Sequence, residues 1–556
     1  TARFESGVGD IAMLSLDNQS ELFVQGDTSI LSGVESFPAI LQGTMSGPGT
    51  TTFEGWASLA GVTLDGRTAL ANAEITGGAL DLINGARFIN AAGNTFDSTS
   101  SIPSGVDSSD GSGVLENRGT LTGDQDIFAF FEQTSTGTTM ATDSMDFTGG
   151  GTIDGDVITT SGFGSDVEYS TDGGDVTYTF PETSSIEGAG DVSFVGPGDA
   201  GDGSVDVDIN GEVNLSPTES TFAVRDGASV SVDVSENTSL GSDLEVSDGA
   251  TLDLALDTSA GRSANGGDSL NFADDVVIND GGAIVVSPND DTADLIDFTS
   301  LLIGGEFRTI TGAGGELVTY DVPTLETTQD GTATIANSNM QTQDTTVASG
   351  SSLALENSPL SAENSLTVEE DAELLLNAAT GDLGAILQTG ADSTTTIRPG
   401  ATISADPDSD AIPEIEFNGE TTVKESLFPN QDPAVIEDVD VVNHSRFMIE
   451  SDLEVRGGTF ANPGDGLIDE VAVQAINGAA MLIIDQVLFG GGSSLFSVGE
   501  PDASGDEVTG KLDATNSQIE LEANAEFVVR ETGAFDGLNA DFFMSDQAIL
   551  DITGEM

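Results

Sequence analysis

The chain has 556 residues, with 96 Asp and Glu against 13 Lys and Arg, for a net charge of −83. Such a surface repels itself in dilute buffer and excludes nucleic acid and anionic membranes as partners, while favouring salt or bound cations. The absence of Cys excludes disulfides and thiolate metal sites, and no apolar run approaches the ~18 residues of a membrane-spanning helix.

Hydrophobic residues make up 37% of the chain, including 27 Phe, and they recur throughout, which separates this composition from acidic disorder. Without disulfides, an exported chain of this length takes its stability from size or repetition. The longest apolar stretch, Ala479 to Ile484, is stopped by Asp485. No signal peptide stands at Thr1 and no anchor-like tail at Met556, so a processed chain or a fragment is expected.

Taken in chain order, the signals are those of short strands. Period-two alternation marks Val205-Asp206-Val207-Asp208-Ile209, Val230-Ser231-Val232-Asp233-Val234 and Ile519-Glu520-Leu521. One unit recurs: a strand, a turn rich in Gly, Asn or Asp, a small residue, and a second strand. Phe222-Ala223-Val224 leads through Asp226-Gly227-Ala228 to Val230-Ser231-Val232. Leu244-Glu245-Val246 leads through Asp248-Gly249-Ala250 to Leu252-Asp253-Leu254. Val276 to Val286, Leu366 to Leu376 and Ile519 to Val529 repeat it, with weaker copies at 14–24, 347–355 and 396–403. Turns fall at 227 and 249, at 350 and 371, and at 524 and 547. Their spacing in the low twenties predicts coils of a β-solenoid, each burying its apolar face against the next.

A second unit is Gly-Thr-rich: Gly47-Pro48-Gly49-Thr50-Thr51-Thr52-Phe53, Gly149-Gly150-Gly151-Thr152-Ile153 and Gly457-Gly458-Thr459-Phe460. A third is Leu115-Glu116-Asn117-Arg118-Gly119-Thr120-Leu121-Thr122-Gly123. Together these phrases resemble the passenger domains of bacterial autotransporters and the haemagglutinin-like surface adhesins. The resemblance is spread over most of the chain. It implies a right-handed parallel β-helix, exported to the extracellular face of the cell, with a structural or adhesive role. The chain departs from that family in its acidity and in lacking a C-terminal barrel of aromatic-rich strands.

The organisation expected is an all-β chain: a β-helix over 1–405 with loops near 103–113 and 259–267, a proline-rich insertion or junction at 406–433, and further coils over 434–556. The expected partners are further copies of the chain, head-to-tail or lateral, and surface glycans bridged by calcium. A tandem array of β-sandwich domains is the alternative architecture.

Candidate chemistry is sparse. Asp206, Asp208 and Asn210 match the opening of an EF-hand calcium loop, but its twelfth position is Pro217 and the alternation equally fits a strand with both carboxylates on one face. Asp406, Asp408 and Asp410, and Asp290, Asp291 and Asp294, are further calcium candidates. His444 lacks the company of a catalytic triad and reads as a strand-end residue. Asp154 and Asp156 are the nearest paired carboxylates for a polysaccharide hydrolase, and Lys424 and Lys511 are the sole lysines available to a lyase. No catalytic set is assembled, so an enzyme is not expected. Phe128, Phe130, Phe131 and Phe447 read as core ladders.

Overall fold

The computed structural model describes residues 2–4, 19–30, 39–53, 57–70, 73–75, 80–98, 105–161, 165–197, 203–216, 219–234, 239–241, 243–256, 269–279, 281–288, 295–309, 318–328, 330–377, 380–383, 386–390, 392–398, 400–405, 414–424, 433–437, 439–445, 447–449, 451–461, 471–475, 480–489, 494–498, 510–513, 518–521, 526–529, 533–536, 541–544 and 549–552. Among them every regular element is a β-strand, and each strand pairs in parallel with the strands one coil away. The fold is a parallel β-solenoid, which leaves no room for a tandem array of antiparallel sandwiches. The chain divides into two units, Thr1–Ser263 with Leu270–Asn289, and Ala264–Ser269 with Asp290–Met556.

In the first unit each coil contributes one strand to each of three parallel sheets. Sheet one stacks Phe88, Leu115, Phe131, Gly151, Tyr178, Val207, Val230, Leu252 and Ile284 in register. Sheet two stacks Val106, Ile127, Phe147, Tyr169, Phe194, Val224, Val246 and Ile278. Sheet three stacks Phe96, Leu121, Thr139, Val157, Ile186 and Val213. Alternate residues of each strand face inward, so one apolar ladder per sheet fills the core. The rings of Phe131, Phe147, Tyr169, Phe194 and Phe222 follow one another along it at centroid spacings of 4.8 to 5.3 Å. The second unit repeats the plan, with Phe307, Ala333, Leu353, Leu374, Thr395, Thr421 and Phe447 in register in one of its sheets.

The turn between sheets has the expected chemistry. Asp226 and Gly227 take φ of 55° and 80°, and Asp248 and Gly249 take 54° and 77°. Asp tolerates this left-handed region and Gly adopts it freely. The backbone N–H of Ala228 donates to Arg225 O (3.1 Å) and that of Ala250 to Ser247 O (3.1 Å), closing each turn. The small residue after the turn is fully enclosed: Ala228 and Ala250 are buried, and a Cβ at the equivalent Gly282 would lie 2.3 Å from Val246 O.

The expected period holds where the repeat phrases are clearest. Val230 pairs with Leu252, Leu353 with Leu374 and Phe527 with Leu550. Elsewhere the coil is shorter, as from Leu115 to Phe131, or much longer, as from Leu252 to Ile284. Two of the expected breaks contain short strands. Gly105–Asp107, inside the polar stretch 103–113, places Val106 in the core. Within 406–433, Glu414–Phe417 and Glu420–Val423 continue the ladders of the second unit. The stretch 259–267 lies outside the described residues.

Candidate functional site

The buried core is satisfied in most places where it is polar, and this is clearest around Asn117. Asn90, Asn117 and Gln133 occupy the same inward position on three consecutive coils, all buried. Asn90 Nδ2 donates to Asn117 Oδ1 (2.8 Å), and Asn117 Nδ2 donates to Gln133 Oε1 (3.0 Å). Each amide also donates to a backbone carbonyl, of Thr120, Thr138 and Asp156 respectively, and Thr139 Oγ1 donates to Gln133 Oε1 (2.6 Å). Such a ladder fixes register, because a slip of one residue would leave these amides unpaired.

On the outward side of the same strands, Glu116 and Glu132 stand directly above one another. Parallel rungs lie about 4.8 Å apart, so stacked carboxylates repel. Arg87 sits between them, with Nη1 at 2.5 Å from Glu116 Oε2 and 2.6 Å from Glu132 Oε2, and Arg118 closes on the other oxygen of Glu116. Burial pushes the Glu116 carboxyl up, but hydrogen bonds from Arg87 and Arg118 outweigh it and hold the group below the usual Glu range.

Sheet two carries another stack, with no guanidinium bridging its rungs among the described residues. Asp126, Asp146 and Glu168 face outward on three consecutive rungs, and Ser193 follows above Glu168. Asp124, Asp143 and Asp166 add their charges from nearby. Asp146 is half-buried. That burial, followed by the charges of Glu168, Asp126, Asp166 and Asp124, raises its carboxyl to about 6. Burial also raises Glu168, and burial with the charges of Asp143 and Asp126 raises Asp124. A hydrogen bond from Ser170 and, after it, the charge of Arg225 draw Glu168 the other way, but the ion pair of Arg225 is with Glu245 (2.6 Å).

Beside this stack the chain turns from sheet two to sheet one through Phe128, Ala129 and Phe130. Alternation runs straight through the corner: Ala129 and Phe131 are buried, while Phe128 and Phe130 are each 40% exposed. The expectation of core ladders therefore holds for Phe131 and Phe447 and fails for Phe128 and Phe130, because the corner keeps the strand's parity instead of folding both rings inward. The coil above passes this corner with Gly149-Gly150-Gly151. A Cβ on Gly149 would lie 2.6 Å from Phe128 O, and one on Gly151 2.3 Å from Phe131 O, so side-chain-free backbone packs against the Phe segment.

The calcium candidates Asp206 and Asp208 lie on the outward face of the strand Val205–Ile209, both exposed. Asp206 stands between Thr177 and Ser229, and Asp208 between Thr179 and Ser231. Ser204 Oγ donates to Asp206 (3.2 Å). Asn210 sits at the strand's end, its backbone N–H donating to Phe180 O (2.8 Å). These three residues extend along a strand and do not curl into a loop. Asp406, Asp408 and Asp410, like Asp290, Asp291 and Asp294, lie outside the described residues. Among the described residues no three His, Asp or Glu side chains come together in a metal-holding group.

The remaining candidates are dispersed. Asp154 accepts from Thr183 Oγ1, and Asp156, exposed on sheet three, accepts from Ser185 Oγ (3.0 Å). His444 follows the strand Asp440–Asn443, half-buried, with Nε2 4.0 Å from Glu416. Lys424 follows the strand Glu420–Val423, and Lys511 lies in the strand Gly510–Asp513. No helix is long and apolar enough to cross a membrane among the described residues. No family model matches the chain, and no curated protein or solved structure shows significant similarity to it.

Proposed function

We propose that this chain is an extracellular structural or adhesive surface protein, of the kind its repeat phrases resemble in autotransporter passengers and haemagglutinin-like adhesins. The observation that carries the reading is the pairing of a stacked apolar core with outward faces made of carboxylates and hydroxyls. Asp206, Asp208, Asp156 and Glu212 all sit on such faces next to Ser or Thr, with no assembled catalytic group among the described residues. A net charge of −83 on such faces calls for a dense cation layer, and calcium is the divalent ion that carboxylates in this number would gather.

Self-association is the expected mode of assembly. The coil through Asp541–Met544 and Ile549–Ile552 leaves Met544 47% and Leu550 38% exposed. Both lie on the inward parity of their strands, level with Leu521 and Phe527, and a further stacked coil, of a second copy or of the same chain, would cover them by strand addition. Electron microscopy in high salt, with millimolar calcium and then chelator, tests the reading. Filaments or sheets that loosen on chelation are expected. Isolated particles under every condition would remove the polymer and leave a monomeric adhesin.

A further inference from the structure

Two of the stacks of outward carboxylates among the described residues of the first unit differ in what the chain supplies to them. Where Glu116 stands on Glu132, the chain supplies a guanidinium that bridges the two rungs and a second that closes the flank. Where Asp126, Asp146 and Glu168 stand on one another, the guanidinium that Glu168 feels, Arg225, is engaged with Glu245. Beside this column two aromatic rings, Phe128 and Phe130, project into solvent over a glycine-lined coil, instead of packing inward with Phe131, Phe147 and Phe194.

We propose that the Asp126–Asp146–Glu168 column and the Phe128/Phe130 corner form one docking surface for an arginine- or lysine-bearing segment of a partner protein. The cation comes in trans to the position that Arg87 fills in cis on the neighbouring sheet. Charge complementarity fixes the sign of the partner. A carboxylate column in a strongly negative field draws cations and repels acidic chains. The rings fix its kind. Phe has no polar tip to satisfy, and its face attracts a guanidinium or ammonium, worth about 0.5–1 kcal/mol at an exposed site. A guanidinium can span two rungs with paired hydrogen bonds while its stem and neighbouring groups lie on the rings. A bare metal ion would use the carboxylates and leave the rings idle. The inference stands apart from the polymer reading, since a chain that remains monomeric still presents this surface.

The test is fluorescence anisotropy of a labelled nonapeptide of alternating Arg and Gly against the full chain, at about 0.15 M salt, where screening acts over about 8 Å. Four proteins are compared. One is unchanged; one carries Asp126→Asn, Asp146→Asn and Glu168→Gln; one carries Phe128→Ser and Phe130→Ser; one carries Asp206→Asn, Asp208→Asn and Glu212→Gln, which removes the same charge elsewhere. The column variant is expected to bind about 10-fold or more weakly and the Phe variant about 2- to 5-fold more weakly for each ring engaged, as cation–π energies of this size imply. The remote variant should stay within about 2-fold. Equal loss in the column and remote variants would reduce the binding to a general field effect and overturn the proposal. So would a Phe variant that binds as the unchanged chain does, or a saturable calcium site lost in the column variant and untouched in the Phe variant. All substituted side chains face outward, and thermal unfolding of each variant separates a folding defect from a binding one.

Discussion

Two strands of the first unit, Val114–Asn117 and Val167–Tyr169, follow the same pattern with opposite outcomes. On the first, the outward Glu116 is bridged by Arg87 and Arg118, and the inward Asn117 is hydrogen-bonded both to its neighbouring amides and to backbone. On the second, the outward Glu168 stands in an acidic column that no guanidinium bridges, and the inward Tyr169 hydroxyl is buried with no hydrogen-bond partner. A solenoid forces each residue to face its counterpart one coil away, so any polar choice is multiplied along the stack. The first strand resolves that multiplication within the chain. The second leaves it open, on the side where the exposed Phe corner lies.

The sharpest way to break the comparison is to remove the bridge. Arg87→Met leaves the nearly buried Glu116 beside Glu132 with Arg118 as its one remaining cation and is expected to cost about 1–2 kcal/mol, read as a lowered urea midpoint for the first unit. A loss under about 0.5 kcal/mol would place the two stacks on an equal footing. Asn117→Leu strikes the inward side of the same strand. It leaves the Asn90 and Gln133 amides short of a partner, for about 2 kcal/mol.

The stacks also differ in the sign of their pH dependence. The Asp146 carboxyl is raised from 3.8 to about 6, so the folded chain binds a proton that the unfolded chain has released between those values. Its charged form weakens the fold, and stability from this group falls as pH rises from about 4 to 6. Glu116 is lowered, so its contribution is present above the unfolded Glu value and is lost as pH falls through the folded one. Asp146→Asn should therefore raise stability at pH 7 by about 1 kcal/mol, after discounting for a half-exposed group, and flatten the pH profile between about 4 and 6. A variant that is less stable at pH 7, or keeps the same profile, would show that the column is already neutralised.

The period, the turns and the solenoid are legible in the sequence because they are local. Asp-Gly before a small residue, flanked by alternating strands, needs no knowledge of register. The ion bridge and the amide ladder are hidden because coil length varies along the chain, and nothing nearby announces which residue stands above which. The step from Leu115 to Phe131 is half that from Leu252 to Ile284. Glu116 and Asn117 are visible within a repeat phrase, but their partners Arg87, Glu132, Asn90 and Gln133 are not. The acidic column does carry a signal in the sequence: Asp126, Asp146 and Glu168 recur at close to the coil period itself. The Phe corner misleads for a local reason. Three nearly adjacent Phe residues look like core, and only the parity of the corner turns two of them outward.

The finest test lies inside the core, between two tyrosines whose rings are 5.1 Å apart. Tyr178 donates to the carbonyls of Phe147 (2.5 Å) and Ser170 (2.9 Å), whereas the Tyr169 hydroxyl is enclosed without a partner. Burial raises both phenols far out of the physiological range, so neither carries charge. The contrast is one of hydrogen bonding alone. Tyr178→Phe should cost about 1 kcal/mol, and Tyr169→Phe should be neutral or stabilising by up to about 1 kcal/mol, since it removes a desolvated hydroxyl and keeps the ring stacked between Phe147 and Phe194. If Tyr169→Phe instead weakens the fold as much as Tyr178→Phe, the hydroxyl holds a buried water. The strand Val167–Tyr169 would then be open on its outward face only, which confines the contrast between the two strands to the surface where the carboxylate column lies.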